Sequence, residues 1–135
     1  MPIRIAMAAL IRGSFVLLAH RHPARRWYPD CWDLVGGHIE SDETPEQAIR
    51  RECREELGVT LTDLQSRPIG SSDPTLEVYG FVVTGWQGAP ANRAPDEHDA
   101  LAWYPAQALT TLRLADPLMA PWVTEVLEHH RTWGV

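Results

Sequence analysis

Glu52, Glu55 and Glu56 stand at positions i, i+3 and i+4 of one segment. On a helix of 3.6 residues per turn this spacing brings three carboxylates to one face. Like charges so placed repel by about a few tenths of a kcal/mol per pair in water, and by more where water is partly excluded. A cation among them removes that cost. Oxygen donors, with no histidine or thiol among them, favour Mg²⁺, with Mn²⁺ as the alternative. Such an ion can screen phosphate charge and acidify water, which is the chemistry of phosphoanhydride hydrolysis. Glutamates on a helix are more often a solvated charged face, so the triplet needs a setting before it means anything.

The element carrying it is the best defined in the chain. Thr44 can serve as N-cap, Pro45 suits the first helical position, Gln47 completes a capping box and Gly58 supplies the C′ stop, which predicts a helix from Pro45 to Leu57. Ile49, Cys53 and Leu57 recur every fourth residue and form its buried stripe. Upstream, residues 3 to 11 and 14 to 20 read as an antiparallel hairpin turned at Arg12-Gly13. Residues 21 to 31 read as an exposed loop, followed by a short strand from Trp32 to Val35 that Gly36-Gly37 stops. Downstream, Val59 to Leu64 and Ser66 to Ser71 are weaker strand candidates, and Leu76 to Trp86 is a strong one expected near the sheet centre. A loop from Gln87 to Asp96, a short strand near Ala100 to Tyr104 and a final amphipathic helix opening at Asp116-Pro117 complete the reading. The fold class is α/β, a mixed sheet sandwiched by helices.

The chain has 135 residues, which suits a single domain over 1–135. Its apolar runs are no longer than a strand or short helix, so no membrane span is expected. A net charge of −6, with all twelve basic residues arginine, argues against broad binding to a nucleic acid polymer. Cys31 and Cys53 are too few for a disulfide framework, and Met1-Pro2-Ile3-Arg4 does not resemble a secretory leader. The expected location is cytoplasmic. Monomer and homodimer are both left open.

The setting of the triplet is Gly37, Glu43, Arg51, Glu52, Glu55, Glu56 and Gly58, arranged as G-x₅-E-x₇-R-E-C-R-E-E-L-G-V over residues 37–59. This string resembles the Nudix box, G-x₅-E-x₇-R-E-U-x-E-E-x-G-U with U a bulky aliphatic residue. At ordinary residue frequencies its chance occurrence at a given start is on the order of 10⁻⁸, so the solvated-face reading recedes. Two departures are Cys53 at the first aliphatic position and Val35 where many members carry proline; neither removes a ligand. The flanks Trp32-Asp33-Leu34-Val35-Gly36-Gly37 and Thr44-Pro45-Glu46-Gln47-Ala48 look like the MutT-type branch.

The resemblance implies a Nudix α/β/α sandwich with the box helix and a C-terminal helix. It also implies an Mg²⁺-dependent hydrolase of a small nucleotide, first a normal or oxidised nucleoside triphosphate giving monophosphate and pyrophosphate. ADP-ribose or a dinucleoside polyphosphate is the second substrate reading, and a non-catalytic nucleotide sensor the third. By analogy, Gly36 would offer its carbonyl to the metal, Glu55 and Glu56 their carboxylates, and Glu52 would be the general base or a further ligand, held by Arg51. Glu97 resembles a late carboxylate that some members add to the metal shell. Arg21, Arg25 and Arg26, with His22, lie in the loop where MutT-type enzymes meet the nucleotide, and with Gly37 these arginines are the expected substrate-binding residues. Trp27, Tyr28, Tyr79, Trp86 and Trp103 are candidates for stacking on a base, with core packing as the alternative.

Overall fold

The computed structural model describes residues 2–133. Seven strands and two helices follow one another as β1 Ile3–Arg12, β2 Phe15–Arg21, β3 Trp32–Asp33, β4 Val35–His38, α1 Pro45–Leu57, β5 Thr60–Ser66, β6 Leu76–Gln87, β7 His98–Pro105 and α2 Met119–Trp133, with a 3₁₀ turn at Ala106–Thr111 before α2. β1 runs parallel to β6 from Ile3–Leu76 to Leu10–Val83, and antiparallel to β4 from Ile5–His38 to Ala8–Val35. β5 closes the far side against β6, antiparallel. The sheet is therefore mixed, with β6 inside it.

β1 and β2 are hairpin neighbours only beside the turn, at Ile11–Val16 and Arg12–Phe15. Beyond those pairs β2 departs and spends its length on β7. The next segment makes the same switch: Trp32 and Asp33 pair with β2, then after Leu34 the chain pairs with β1. This corrects the expectation that one strand ends at Gly36-Gly37, because both glycines are inside β4. They are there for close approach, since a Cβ on Gly37 would lie 2.7 Å from the Glu52 carboxylate. The expected strand from Ser66 to Ser71 is likewise absent: β5 ends at Ser66, and the segment beyond has no regular structure before β6.

Alternation along β1 and β2 separates two cores, as the period of two requires. Ala6, Ala8, Leu10, Leu17 and Ala19 face α1 with Ile49, Cys53 and Leu57. Ala9, Ile11, Val16 and Leu18 face α2 with Met119, Val123, Val126 and Leu127. Helices thus cover both faces, giving the α/β/α sandwich. Full burial of a side chain such as Ile49 or Leu57 contributes about 2–3 kcal/mol.

The ends of α1 follow from local chemistry. The Thr44 hydroxyl accepts from the Gln47 N–H at 3.1 Å, the Gln47 side chain accepts from the Thr44 N–H at 2.9 Å, and Gly58 turns left-handed at φ 73°. α2 begins later than Asp116-Pro117 suggests. Asp116 instead caps the approach, its Oδ1 accepting from Leu118 N–H and its Oδ2 from Ser72 N–H, both at 2.9 Å. Among the described residues no helix is long and apolar enough to cross a membrane.

Candidate active site

A cavity of about 410 Å³ opens where α1, β4, the loop after β2 and the start of β7 meet. Glu52, Glu56, Glu97, His98, Gly36, Gly37 and Arg51 line one end. Ile3, Ile5, Met7, Leu76, Val78 and Met119 give the remainder apolar walls, with Asp33, Ser71 and Asp116 among them.

Arg51 fixes the acidic end. Its Nε and Nη2 donate to the two oxygens of Glu43 at 2.7 and 2.9 Å, the bidentate fork that suits guanidinium. Its Nη1 donates to Glu52 at 2.9 Å and to Glu55 at 3.2 Å, and Nη2 also reaches the His38 carbonyl at 3.0 Å. One side chain therefore ties the segment after β4 to the helix and aims Glu52. The Arg51 fork holds the Glu43 carboxyl down to about 2, whereas burial raises Glu52 above its ordinary value against the pull of Arg51.

Glu55 and Glu56 diverge. Glu55 keeps 59% of its side chain exposed and lies outside the cavity lining, engaged with Arg51. Glu56 is buried at 5% exposure. Its carboxyl is pushed up to about 10, first by burial and then by the Glu97 carboxyl beside it. The loop before β7 makes this meeting: Arg93 N–H donates to the Glu56 carbonyl at 2.8 Å and Ala91 N–H to the Leu57 carbonyl at 3.1 Å, which laces residues 91–93 along the end of α1. Asn92 then donates to the His98 carbonyl at 2.6 Å. Glu56, Glu97 and His98 end with ligand atoms within 4.8 Å of one another.

A family model for the NUDIX domain matches residues 2–126 of this chain. The chain belongs to the Nudix family. It is similar to the CTP pyrophosphohydrolase of Escherichia coli, 33% identical over 111 residues that cover 79% of each protein. It also resembles the 8-oxo-dGTP diphosphatase of Proteus vulgaris, 35% identical over 75 residues, 53% of this chain and 66% of that one. A solved MutT structure from work on Aliivibrio salmonicida and Vibrio cholerae superposes with a TM-score of 0.79 over 93% of this chain and 98% of the other; at 24% identity it speaks to the fold alone. The chain is a Nudix hydrolase.

Nudix hydrolases use divalent metals, and the acidic end of this cavity fits one. Glu56 Oε2 and both ring nitrogens of His98 are buried without a hydrogen-bond partner. Leaving such atoms unsatisfied costs about 1–3 kcal/mol each, which a cation and its water would relieve. Glu56 and Glu97 present carboxylates there, with Glu52 beside them in the cavity lining.

The basic loop is arranged differently from a row of phosphate ligands. Arg21 turns back on its own loop, donating from Nε to the Tyr28 carbonyl at 2.8 Å and from Nη2 to the Trp27 carbonyl at 2.7 Å, with Asp33 3.7 Å from Nη1. It reaches the cavity while shaping the loop. Arg25 lines the cavity too, with Nη1 3.5 Å from the Glu97 carbonyl. Arg26 lies over the exposed Trp27 ring and is outside the lining. Trp27 and Tyr28 line the cavity, and the Tyr28 hydroxyl donates to Asp73 across it. Trp86 and Trp103 are elsewhere, stacked 6.1 Å apart beside Arg12.

His98 and Asp33 are among the lining residues to which the sequence gives no site role. Only the sequence neighbourhood of Glu97 signals His98, and Asp33 lies in the Trp32-Asp33-Leu34 flank of the box. Burial raises Asp33 to about 6. The folded protein then binds this proton more tightly than the unfolded chain, so stability is lost as pH rises from about 4 through 6, by about 3 kcal/mol in all. Asp33→Asn keeps an acceptor for the Leu34 N–H, which now donates to Asp33 Oδ1 at 2.8 Å. Its Tm relative to wild type is expected to climb between pH 4 and 7 in thermal melts, and a flat difference contradicts the assignment.

Gly37 gives a second test. An added methyl would lie 2.7 Å from the Glu52 carboxylate where it now stands and would displace it. A misplacement of about 1 Å can cost about 10²-fold, so Gly37→Ala should lower kcat by that order with its far-UV spectrum unchanged. Wild-type kcat would show that Glu52 has no fixed task there.

Proposed function

We propose that this Nudix hydrolase cleaves a nucleoside triphosphate, normal or oxidised, to nucleoside monophosphate and pyrophosphate with Mg²⁺ at its acidic end. The observation that carries the reading is the continuity of one cavity from the Glu52, Glu56 and Glu97 carboxylates to an apolar slot holding Asp33, Ser71 and Asp116. A triphosphate needs charge compensation at one end and a flat, weakly polar slot for its base at the other. Names of two relatives, a CTP pyrophosphohydrolase and an 8-oxo-dGTP diphosphatase, support the same substrate class.

When bound, Mg²⁺ would screen the phosphates and make water a better acid. Glu52 would take the proton of the attacking water at the carboxylate oxygen not engaged by Arg51. Arg51 orients that carboxylate and shares its charge with Glu43. Glu56 and Glu97 would be ligands, with Glu55 at the rim and the Gly36 carbonyl as a further donor. Arg25 and Arg21 would meet phosphate oxygens at the loop side. Intact Glu52, Glu55 and Glu56 favour catalysis over a nucleotide sensor that has lost it. Free thiols at Cys31 and Cys53 support a reducing compartment, the cytoplasm.

A product panel tests the reading. With Mg²⁺, normal and oxidised triphosphates should yield monophosphate and pyrophosphate. Preferential turnover of ADP-ribose or a diadenosine polyphosphate would replace the substrate assignment, and no turnover with either Mg²⁺ or Mn²⁺ would replace the enzymatic one with sensing.

A further inference from the structure

His98 is the first residue of β7 and is 4% exposed. Both of its ring nitrogens are buried without a hydrogen-bond partner, although core histidines ordinarily bond at least one. Nε2 approaches Glu56 Oε1 to 3.5 Å without hydrogen-bond geometry, and the neighbouring Glu56 Oε2 is also unpartnered. Two orphaned atoms, Glu56 Oε2 and His98 Nε2, thus lie at the meeting of two elements, α1 and β7, with the Glu97 carboxylate in the same group. One ligand atom each from Glu56, Glu97 and His98 lies within 4.8 Å of the others, and His98 Nε2 is 3.5 Å from Glu56 Oε1, inside the range of about 3 Å (cis) to about 4 Å (trans) that bonds of about 2.1 Å to a common ion impose.

We propose that His98, through Nε2, is a direct ligand of the divalent cation held by Glu56 and Glu97, and that it turns the site toward Mn²⁺ or Co²⁺ over Mg²⁺. The inference rests on the metal-dependent reading above. Its chemistry is the preference of imidazole for borderline cations over the hard, reluctantly dehydrated Mg²⁺. A carboxylate-only shell would have no such bias. The neutral ring supplies a lone pair without adding charge, so the ion keeps more of its positive charge toward substrate than a further carboxylate would leave it.

Pulsed electron paramagnetic resonance on Mn²⁺ added to the metal-free protein reads this directly. Bound Mn²⁺ should show ¹⁴N modulation, replaced by a ¹⁵N pattern in protein labelled at histidine. The signal should vanish in His98→Gln and persist in His38→Gln, the other histidine that lines the cavity. Calorimetric Kd values should show the preference for Mn²⁺ over Mg²⁺ falling about tenfold or more in His98→Gln. Should that variant fail to fold, the ¹⁵N pattern surviving in both His38→Gln and His22→Gln, the latter residue bonded through its N–H to the Glu97 carbonyl at 3.0 Å, assigns the ligand instead. Mn²⁺ that binds, and is lost in Glu56→Gln, but carries no nitrogen coupling overturns the His98 ligand and leaves the metal-dependent reading standing. Loss of the coupling in His38→Gln overturns it as well, and a protein that binds no Mn²⁺ at all overturns both.

Discussion

Glu52→Gln should lower kcat by about 10³-fold, inside the span of about 10²–10⁴ that a positioned general base supplies, while Mn²⁺ affinity changes little. Glutamine keeps the length and shape of the side chain and can still accept from Arg51 Nη1, now 2.9 Å from Glu52 Oε1. What it loses is the capacity to take a proton. The carboxylate it replaces rests against Gly37 with only 13% of its side chain exposed and is fixed from behind by a guanidinium that Glu43 grips at the same time. A group so constrained is placed to meet one water, and its removal should also abolish the acidic limb of the kcat/KM profile. A variant turning over within a few-fold of wild type, or one that loses metal in proportion to rate, would move Glu52 from base to ligand.

Glu56→Gln should have the opposite signature, a sound metal-free protein that no longer responds to metal. Burial and the adjacent Glu97 push the Glu56 carboxyl up to about 10. The folded chain therefore keeps a proton there that the unfolded chain releases near pH 4.5, and stability drains away as pH rises from that point toward the folded value. Glutamine mimics the protonated form at every pH, so the variant should match or exceed the wild-type Tm without metal at pH 8. Adding cation at about 100 times Kd stabilises wild type by about 2.7 kcal/mol and should leave the variant unmoved. Activity should fall with it, to under about 1% of wild type. An undiminished Tm rise with Mn²⁺ in Glu56→Gln would mean that the ion is held by other groups.

Much of this was legible in the chain because it is written locally. Thr44, Pro45, Gln47 and Gly58 bound α1 through contacts within four residues of themselves, and the structure returns the same limits. The box around that helix also sufficed to anticipate the family and the sandwich. What escaped was set by distant partners. β4 runs through Gly36-Gly37 because β1 and Glu52 lie against it, a contact no local turn propensity reports. Ser66 to Ser71 has sheet-like composition but no strand partner beyond Ser66. The three glutamates do not act alike, since Glu55 faces outward and Glu56 inward: Arg51 attracts one, and the loop at residues 91–93 closes over the other. His98 was invisible as a ligand for the same reason, 42 residues in sequence separating it from Glu56 while 3.5 Å separates their side chains.

The parting of β1 from β2 after two residue pairs has a mechanical side. The core under α1 draws on β4, β1, β6 and β5 and also on Leu17 and Ala19 of β2, whereas the backbone of β7 pairs with β2. Glu56 and His98 therefore reach the same point from opposite banks of a seam that β1–β2 pairing closes only near Arg12 and Phe15, and across which residues 91–93 lace to the end of α1. An ion between them is a clasp joining two halves of the molecule. Loading it should slow amide exchange along β2 and β7, far beyond the ligands themselves, and stripping it should let the two banks breathe apart.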